Sequence, residues 1–260
     1  MRARLFAATL AVPLACATAA ADGFDHSLFD ALLRRHVTGG CVDYDAFARA
    51  PEFPRYLEQL AAADPEKLEE KDRLAFWIDA YNAYTIELLN RHHERQSIRN
   101  INKTLGLLKA KGPWQEKIVR AGGALYTLDE VEHDIIRKRF HEPRIHFALV
   151  CAAASCPPLR SEAYTGARLE AQLTDQARVF LLGQPAKNRV DAAAGVVYLS
   201  PIFGWYKDDF GGDDATVGRF IAAYHPEGPE KRLLLSGHFK VLETPYDWSL
   251  NSLEPAAAAR

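Results

Sequence analysis

DRLAFWIDAYNAYTIELLNRH, residues 72–92, is the longest stretch with an unbroken helical pattern. One set of apolar side chains recurs every three or four residues: Leu74, Trp77, Ile78, Tyr81, Leu88 and Leu89. The opposite flank is also apolar, which predicts a helix buried over most of its circumference. Asp79 and Asn82 lie three residues apart on this helix, and each needs hydrogen-bond partners, since an unmet buried polar group costs about 1–3 kcal/mol.

The segments outward from this helix alternate between helical and extended patterns. Helices are predicted over residues 25–37, 45–63, 165–182 and 216–224, hairpins over 117–126 and 190–199, and a strand over 239–244. Thr127 with Glu130 three residues later forms a capping box that begins another helix. The apolar run Ile145–Cys151 predicts a buried central strand. Because no regular βαβ period is present, we expect an α+β fold with helices packed on a small central mixed or antiparallel sheet.

The N-terminus has the pattern of a secretory signal. Arg2 and Arg4 precede an apolar run over residues 5–15, and small residues follow over 17–21. The apolar run is shorter than the roughly 20 residues that span a bilayer. We therefore expect residues 1–21 to be removed, residues 22–260 to form a single domain, and the protein to be periplasmic or secreted. Lipid attachment at Cys16 is disfavoured by the Pro13-Leu14-Ala15 sequence before it.

The charge balance narrows the classes of partner. The chain has 32 basic and 34 acidic residues and a formal charge of −2, and it has no basic block. Nucleic acid and anionic membrane surfaces are therefore not expected as partners, and no later segment is apolar for long enough to span a membrane. A small molecule, a peptide or a glycan is left as the expected ligand class, with no cofactor.

Three cysteines remain after residue 21. Cys151 and Cys156 are close enough to form a disulfide in an oxidising compartment, and Cys41 would then be left over. Alternatively, one of the pair is a nucleophile. If a helical turn begins at Pro157, Cys156 is its N-cap and its thiol pKa falls below about 8.5. Strand alternation would turn His146 away from Cys151.

His133 is the candidate base for a cysteine nucleophile. It lies beside Glu132, and Glu132, Asn82 or Asp79 would orient its imidazole. Neither a paired CxxC nor an HExxH spacing is present, so no metal site is expected, and the five-residue cysteine spacing differs from the CxxC of known thiol–disulfide exchangers. The alternative is a non-catalytic module with a structural disulfide and a binding groove, for which the candidate residues are Trp77, Arg137, His146, Ser155, Trp205, Tyr206 and Trp248.

Five segments resemble the Domain of Unknown Function 547 (DUF547) family in the same order: Leu74–Ala83, Leu128–His133, His146–Leu159 with its two cysteines, Trp205–Phe210 and Tyr246–Asn251. The family's name implies no activity. Its distant likeness to papain and transglutaminase-type cysteine hydrolase folds implies a cysteine-dependent amide hydrolase or acyl-transferase.

Two departures from the family pattern bear on this expectation. The family usually has Asn where this chain has Asp79. Some members lack a cysteine at Cys156 but keep one at Cys151, which favours Cys151 as the functional thiol, whereas the N-cap argument favours Cys156. In either case, we expect His133, Asn82 and Cys151 to lie in one neighbourhood at the centre of the domain.

Overall fold

A computed structural model describes residues 23–102 and 112–253 of the chain. The predicted signal segment, residues 1–21, lies outside this range.

Helices form most of the regular structure. They are α1 (Ser27–His36), α2 (Tyr44–Arg49), α3 (Glu52–Ala62), α4 (Glu70–Arg91), α5 (Arg137–Phe140), α6 (Ile145–Ala148), α7 (Leu169–Leu182), α8 (Ile202–Trp205), α9 (Asp214–Ala222) and α10 (Pro229–Ser236). A π-helix over Glu130–Ile136 runs directly into α5. The predicted long helix is confirmed as α4, which is buried on almost every side.

Within residues 23–102 and 112–253, the strands form three small sheets. β1 (Val37–Thr38) pairs with β2 (Cys41–Val42), and β3 (Val119–Ala121) pairs with β4 (Ala124–Tyr126), both antiparallel. The third sheet is mixed: β6 (Val196–Leu199) lies between antiparallel β5 (Arg189–Asp191) and parallel β7 (Lys240–Glu243). The α+β class and both predicted hairpins are confirmed.

The buried apolar side chains form two clusters. The larger surrounds α4 and includes side chains from α1, α2, α3 and the first half of α7. The smaller contains Val197 and Leu199 of β6 with side chains from the end of α7 and from α8, α9 and α10. Helix α6 contributes to both, since Ile145 belongs to the larger cluster and Phe147 to the smaller.

Two local predictions are wrong. Residues 145–151 do not form a strand: α6 covers Ile145–Ala148, and extended chain follows. The run is buried as predicted, but burial on all sides removes the periodicity that separates a short helix from a strand. The helix predicted over 45–63 is two helices, α2 and α3, divided at Ala50 and Pro51 because Pro51 disfavours helical backbone in the preceding residue.

Candidate functional site

A half-open cavity of about 220 Å³ lies where side chains of both clusters meet. We call it the aromatic cavity. Its wall is formed by Tyr81, Trp114, Asp129, Glu132, His133, His146, Leu149, Cys151, Cys156, Pro157, Ile202, Trp205, Tyr206, Tyr246 and Trp248. All five segments that carry the family resemblance contribute to this wall, although they are far apart in sequence. The cavity is therefore the place where those segments converge.

The π-helix presents Glu132 and His133 to the cavity. The predicted capping box at its start is confirmed: Thr127 N–H donates to Glu130 Oε2 at 2.7 Å, and Glu130 N–H donates to Thr127 Oγ1 at 3.0 Å. At its end, Arg137 N–H donates to the carbonyl of Glu132, five residues earlier. A π-helical turn is rare and often occurs at functional sites, because the extra residue changes which side chains share a face.

A charged network supports the cavity from behind. Arg137 donates two hydrogen bonds to Asp209, of 2.7 and 2.9 Å, and His146 Nε2 lies 2.6 Å from Asp209 Oδ2. The hydrogen bond from His146 and then the Arg137 guanidinium hold the pKa of Asp209 well below its ordinary value, despite partial burial. His146 stacks on Tyr206 with ring centroids 3.9 Å apart.

The same arginine sets the tautomer of His133. Arg137 Nη1 lies 3.0 Å from His133 Nδ1. A guanidinium can only donate, so Nδ1 accepts and the proton of the neutral imidazole is on Nε2. In this arrangement His133 offers a hydrogen-bond donor at Nε2, whereas a base for a thiol would need that nitrogen free.

Glu132 is buried and paired with phenols. Tyr206 Oη donates to Glu132 Oε1 at 2.6 Å. Burial, and then the Glu132 carboxylate, raise the pKa of both Tyr206 and Tyr81 well above the ordinary value, so both phenols stay protonated and can donate. The Glu132 carboxylate is thereby held in one orientation at the wall of the cavity.

Asn82 holds the chain segment that leads to the cysteines. Its Nδ2 donates to the carbonyl of Ala148 at 3.0 Å, and its Oδ1 accepts from Val150 N–H at 2.9 Å. These two bonds satisfy backbone groups that would have been paired with a neighbouring strand if residues 145–151 had formed a β-strand. They fix Leu149 and Cys151, which line the cavity together with His133. Asn82 therefore acts behind the wall of the cavity rather than in it.

Cys151 and Cys156 form a disulfide. Cys151 is partly exposed and Cys156 is 3 % exposed, and both line the cavity. No helical turn begins at Pro157, so the condition for an N-cap effect on Cys156 is not met. His146 shares the cavity with Cys151, contrary to the strand alternation, because α6 replaces the strand.

Four aromatic side chains of the cavity wall pack against one another, and we call them the aromatic rim. Trp205 stacks on Trp248 at 5.9 Å, and Tyr246 packs against both at 4.8 and 4.6 Å. Trp114 contacts Trp248 edge to face at 6.0 Å. Trp205 is 50 % exposed, which is unusual for so large an apolar side chain in a folded protein. These four side chains form a surface suited to stacking against a ligand.

Three candidate residues lie elsewhere. Trp77 is buried in the core against Phe76 and Tyr126, away from the cavity wall. Ser155 Oγ accepts from Asp247 N–H at 2.8 Å, which pins the C-terminal segment. Asp79 is buried with its Oδ2 3.1 Å from His26 Nδ1, on a different side of α4 from the cavity.

A larger cavity of about 630 Å³ lies on the other side of the disulfide loop. Its wall includes Cys41, which carries a free thiol among the described residues, and Lys187. It does not contain the histidine and carboxylate groups that converge in the aromatic cavity.

Over residues 23–102 and 112–253, no group of three His, Cys, Asp or Glu side chains is arranged to hold a metal ion. Within the same ranges, no helix has the length and apolar character needed to cross a bilayer.

The wall and support residues that sequence reasoning missed include Tyr81, Trp114, Asp209 and Tyr246. Three of them lie inside the segments that carry the family resemblance, so that resemblance was a usable signal. Trp114 lies outside all five segments, and only the fold brings it to the rim.

The fold and the site define an α+β protein with a half-open aromatic cavity, a buried carboxylate and a disulfide in its wall. Residues 65–181 match the model of the family described as "Protein of unknown function, DUF547". This match confirms the resemblance over α4 to α7, and the segments at Trp205 and Tyr246 lie beyond it. No curated protein and no solved structure matches the chain.

Proposed function

We propose that this protein is a binding module whose aromatic cavity takes one ring of a glycan. The observation that carries the proposal is the rim of Trp114, Trp205, Tyr246 and Trp248 above a polar wall. Sugar rings present apolar C–H faces to aromatic faces and hydroxyl groups to polar side chains. A cavity of about 220 Å³ is smaller than the 300–1,000 Å³ typical of larger ligands, which suits a single ring.

The polar groups fit such a ligand. Glu132 offers acceptor oxygens, and Nε2–H of His133 is a donor because Arg137 occupies the other nitrogen. Burial raises the pKa of Asp129, which adds a second carboxyl group to the wall. A donor and several acceptors around an aromatic surface match the alternating hydroxyl groups of a sugar.

The test is calorimetric titration of the protein with a panel of oligosaccharides. Trp205→Ala should weaken binding at least about tenfold, because Trp side chains that pack against a ligand are commonly hot spots. Leu235→Ala is the control, since Leu235 is 53 % exposed and lies outside the cavity wall. Equal affinities for the two variants, or no heat with any saccharide, would count against glycan binding.

A second candidate is a cysteine-dependent amide hydrolase or acyl-transferase. Its support is that Cys151 and His133 line one cavity. It requires reduced cysteines and the other tautomer of His133, which the disulfide and Arg137 oppose. Iodoacetamide labelling distinguishes the two: a nucleophile reacts before reductant is added, whereas a structural disulfide reacts only afterwards.

We also propose that the protein is exported. The signal pattern of residues 1–21 supports export, and a disulfide is compatible with an oxidising compartment. Mass spectrometry of the protein recovered from its native host tests this, since a mature N-terminus after residue 21 is expected and an intact Met1 start would contradict it.

A further inference from the structure

The disulfide in the cavity wall has two chemically different sulfurs. Cys156 Sγ accepts from the backbone N–H of Cys151 at 3.1 Å and lies 3.3 Å from Tyr246 Oη. A disulfide sulfur has no proton, so the tyrosine hydroxyl is the donor. Cys151 Sγ lies 3.4 Å from the same hydroxyl, but within the described residues no backbone N–H donates to it.

Exposure and charge add to this difference. Cys156 is 3 % exposed, whereas Cys151 is partly exposed at the cavity. Lys187 Nζ donates to the carbonyl of Cys156 at 2.7 Å and brings a positive charge to that residue. Negative charge that develops on Cys156 Sγ would therefore meet the Cys151 N–H, the Tyr246 hydroxyl and the charge of an ammonium group bound to the carbonyl of the same residue, and Cys151 is the more exposed cysteine of the pair.

We propose that the aromatic cavity carries out thiol–disulfide exchange, with Cys151 as the sulfur attacked by an incoming thiolate and Cys156 as the leaving thiolate. The ligand class is a thiol, either a small molecule or the cysteine side chain of a peptide. Exchange goes beyond glycan binding and does not depend on it. Although Cys151 and Cys156 are five residues apart rather than three, exchange requires one accessible sulfur and one stabilised leaving group, and both are present.

Exchange proceeds by two successive displacements at sulfur. The ligand thiol first loses its proton to solvent, and its sulfur then forms a bond to Cys151 Sγ while the Cys151–Cys156 bond breaks. The electron pair of the broken bond stays on Cys156 Sγ. A second ligand thiolate attacks the ligand sulfur of the mixed disulfide, which releases the oxidised ligand disulfide and the Cys151 thiolate. Two ligand thiols are thus oxidised by two electrons, and the protein disulfide is reduced by two.

Tyr246 is the positioning residue for the leaving group. Burial raises the pKa of its phenol above the ordinary value, so the hydroxyl keeps its proton and its ability to donate. It touches the reacting sulfurs without exchanging a proton with them in this scheme. Its removal should therefore change the leaving ability of Cys156 more than the access of a thiol to Cys151.

The first experiment maps the mixed disulfide. The oxidised protein, with Cys41 blocked by N-ethylmaleimide, is incubated with glutathione in one arm and with a short cysteine-containing peptide in the other, without denaturant. The reactions are quenched with acid, alkylated and analysed by fragment mass spectra of the peptide Ile145–Arg160, which contains both cysteines.

The expected adduct is on Cys151, about tenfold over Cys156, with a rate proportional to the thiol concentration. The proposal would be overturned by adducts divided equally between the two cysteines or by adducts on Cys156. A rate independent of thiol concentration would also overturn it, because exchange would then be limited by unfolding of the protein. Reaction with glutathione alone identifies a small thiol as the ligand, and faster reaction with the peptide identifies a peptide cysteine.

The second experiment removes the tyrosine hydroxyl. Tyr246→Phe should slow exchange about tenfold and shift the alkylation of reduced Cys156 to higher pH, because one donor to its thiolate is lost. Tyr224→Phe, in a half-buried tyrosine outside the cavity wall, should leave both unchanged. A merely structural disulfide would give the same alkylation profile in both variants, which would also overturn the proposal.

Discussion

Asp79 is a buried carboxyl group with few partners. It is 1 % exposed, and its nearest basic neighbour is His26, which also lies 2.8 Å from Tyr56 Oη. Burial raises the pKa of Asp79 well above 3.8 and lowers that of His26 to about 4. His26 is therefore uncharged near neutral pH, and burial favours the protonated, neutral form of Asp79.

The first prediction is that Asp79→Asn stabilises the protein near neutral pH. A folded-state pKa raised above the unfolded value gives stability that is present below about pH 3.8 and is lost as pH rises towards the folded pKa. Asn resembles the protonated acid and has no such loss, so the difference should grow with pH. His26 contributes with the opposite slope, since its lowered pKa makes the folded protein less stable as pH falls from 6.5 to about 4.

Urea unfolding at about pH 4.5 and pH 8 measures this difference. Asp208→Asn, at an exposed position, is the control. A gap between wild type and Asp79→Asn that is the same at both pH values would show that Asp79 is charged in the folded protein.

The second prediction concerns Asn82. Asn82→Ala leaves the carbonyl of Ala148 and the N–H of Val150 without their partner, and each unmet buried group costs about 1–3 kcal/mol. Gln59→Ala removes an exposed amide from α3 and should change stability little. Thermal melts of both variants make the comparison, and an Asn82→Ala melt equal to wild type would contradict a structural role for these bonds.

At the scale of elements, sequence reasoning succeeded where the pattern was long or local. The spacing in residues 72–92 predicted α4, and Thr127 with Glu130 predicted the capping box, because these signals depend only on neighbours in sequence. It failed over Ile145–Cys151, where tertiary contacts choose between helix and strand. The π-helix and the Asp209 network could not be predicted, because both depend on segments brought together by the fold.

The third prediction tests the π-helix. Deleting the exposed Asp134 should convert the segment to a regular α-helix and rotate the side chains after it by about one residue, roughly 100°. Either Glu132 loses Tyr206 or Arg137 loses Asp209, so the cavity should open and the melting temperature should fall. Asp134→Ala keeps the register and is the control. A deletion variant that melts like Asp134→Ala would mean that the π-helical register is not needed.

At the scale of the whole molecule, the two buried clusters are joined by polar contacts around the cavity. Asp209, on the turn after α8, binds Arg137 of α5 and His146 of α6. Tyr206 reaches Glu132 of the π-helix in the same region. These contacts connect the C-terminal elements to the helices packed on α4. Removing one of them should therefore destabilise α8, α9 and α10 together rather than a single residue.

The fourth prediction is that Asp209→Ala loosens the smaller cluster. The variant leaves the guanidinium of Arg137 and the buried His146 without their acceptor, and hydrogen bonds to charged groups contribute about 1.5–3 kcal/mol each. Because the pKa of Asp209 is lowered in the folded state, wild type loses this contribution as pH falls below about 3.8, whereas the variant lacks it at every pH. Hydrogen exchange followed by mass spectrometry should show faster exchange in α9 and α10 and unchanged exchange in α4, since the larger cluster keeps its packing.

Asp208→Ala, at the exposed neighbouring position, should exchange like wild type. Equal acceleration in α4 and α9 would mean that the clusters unfold together and that Asp209 stabilises the molecule as a single unit.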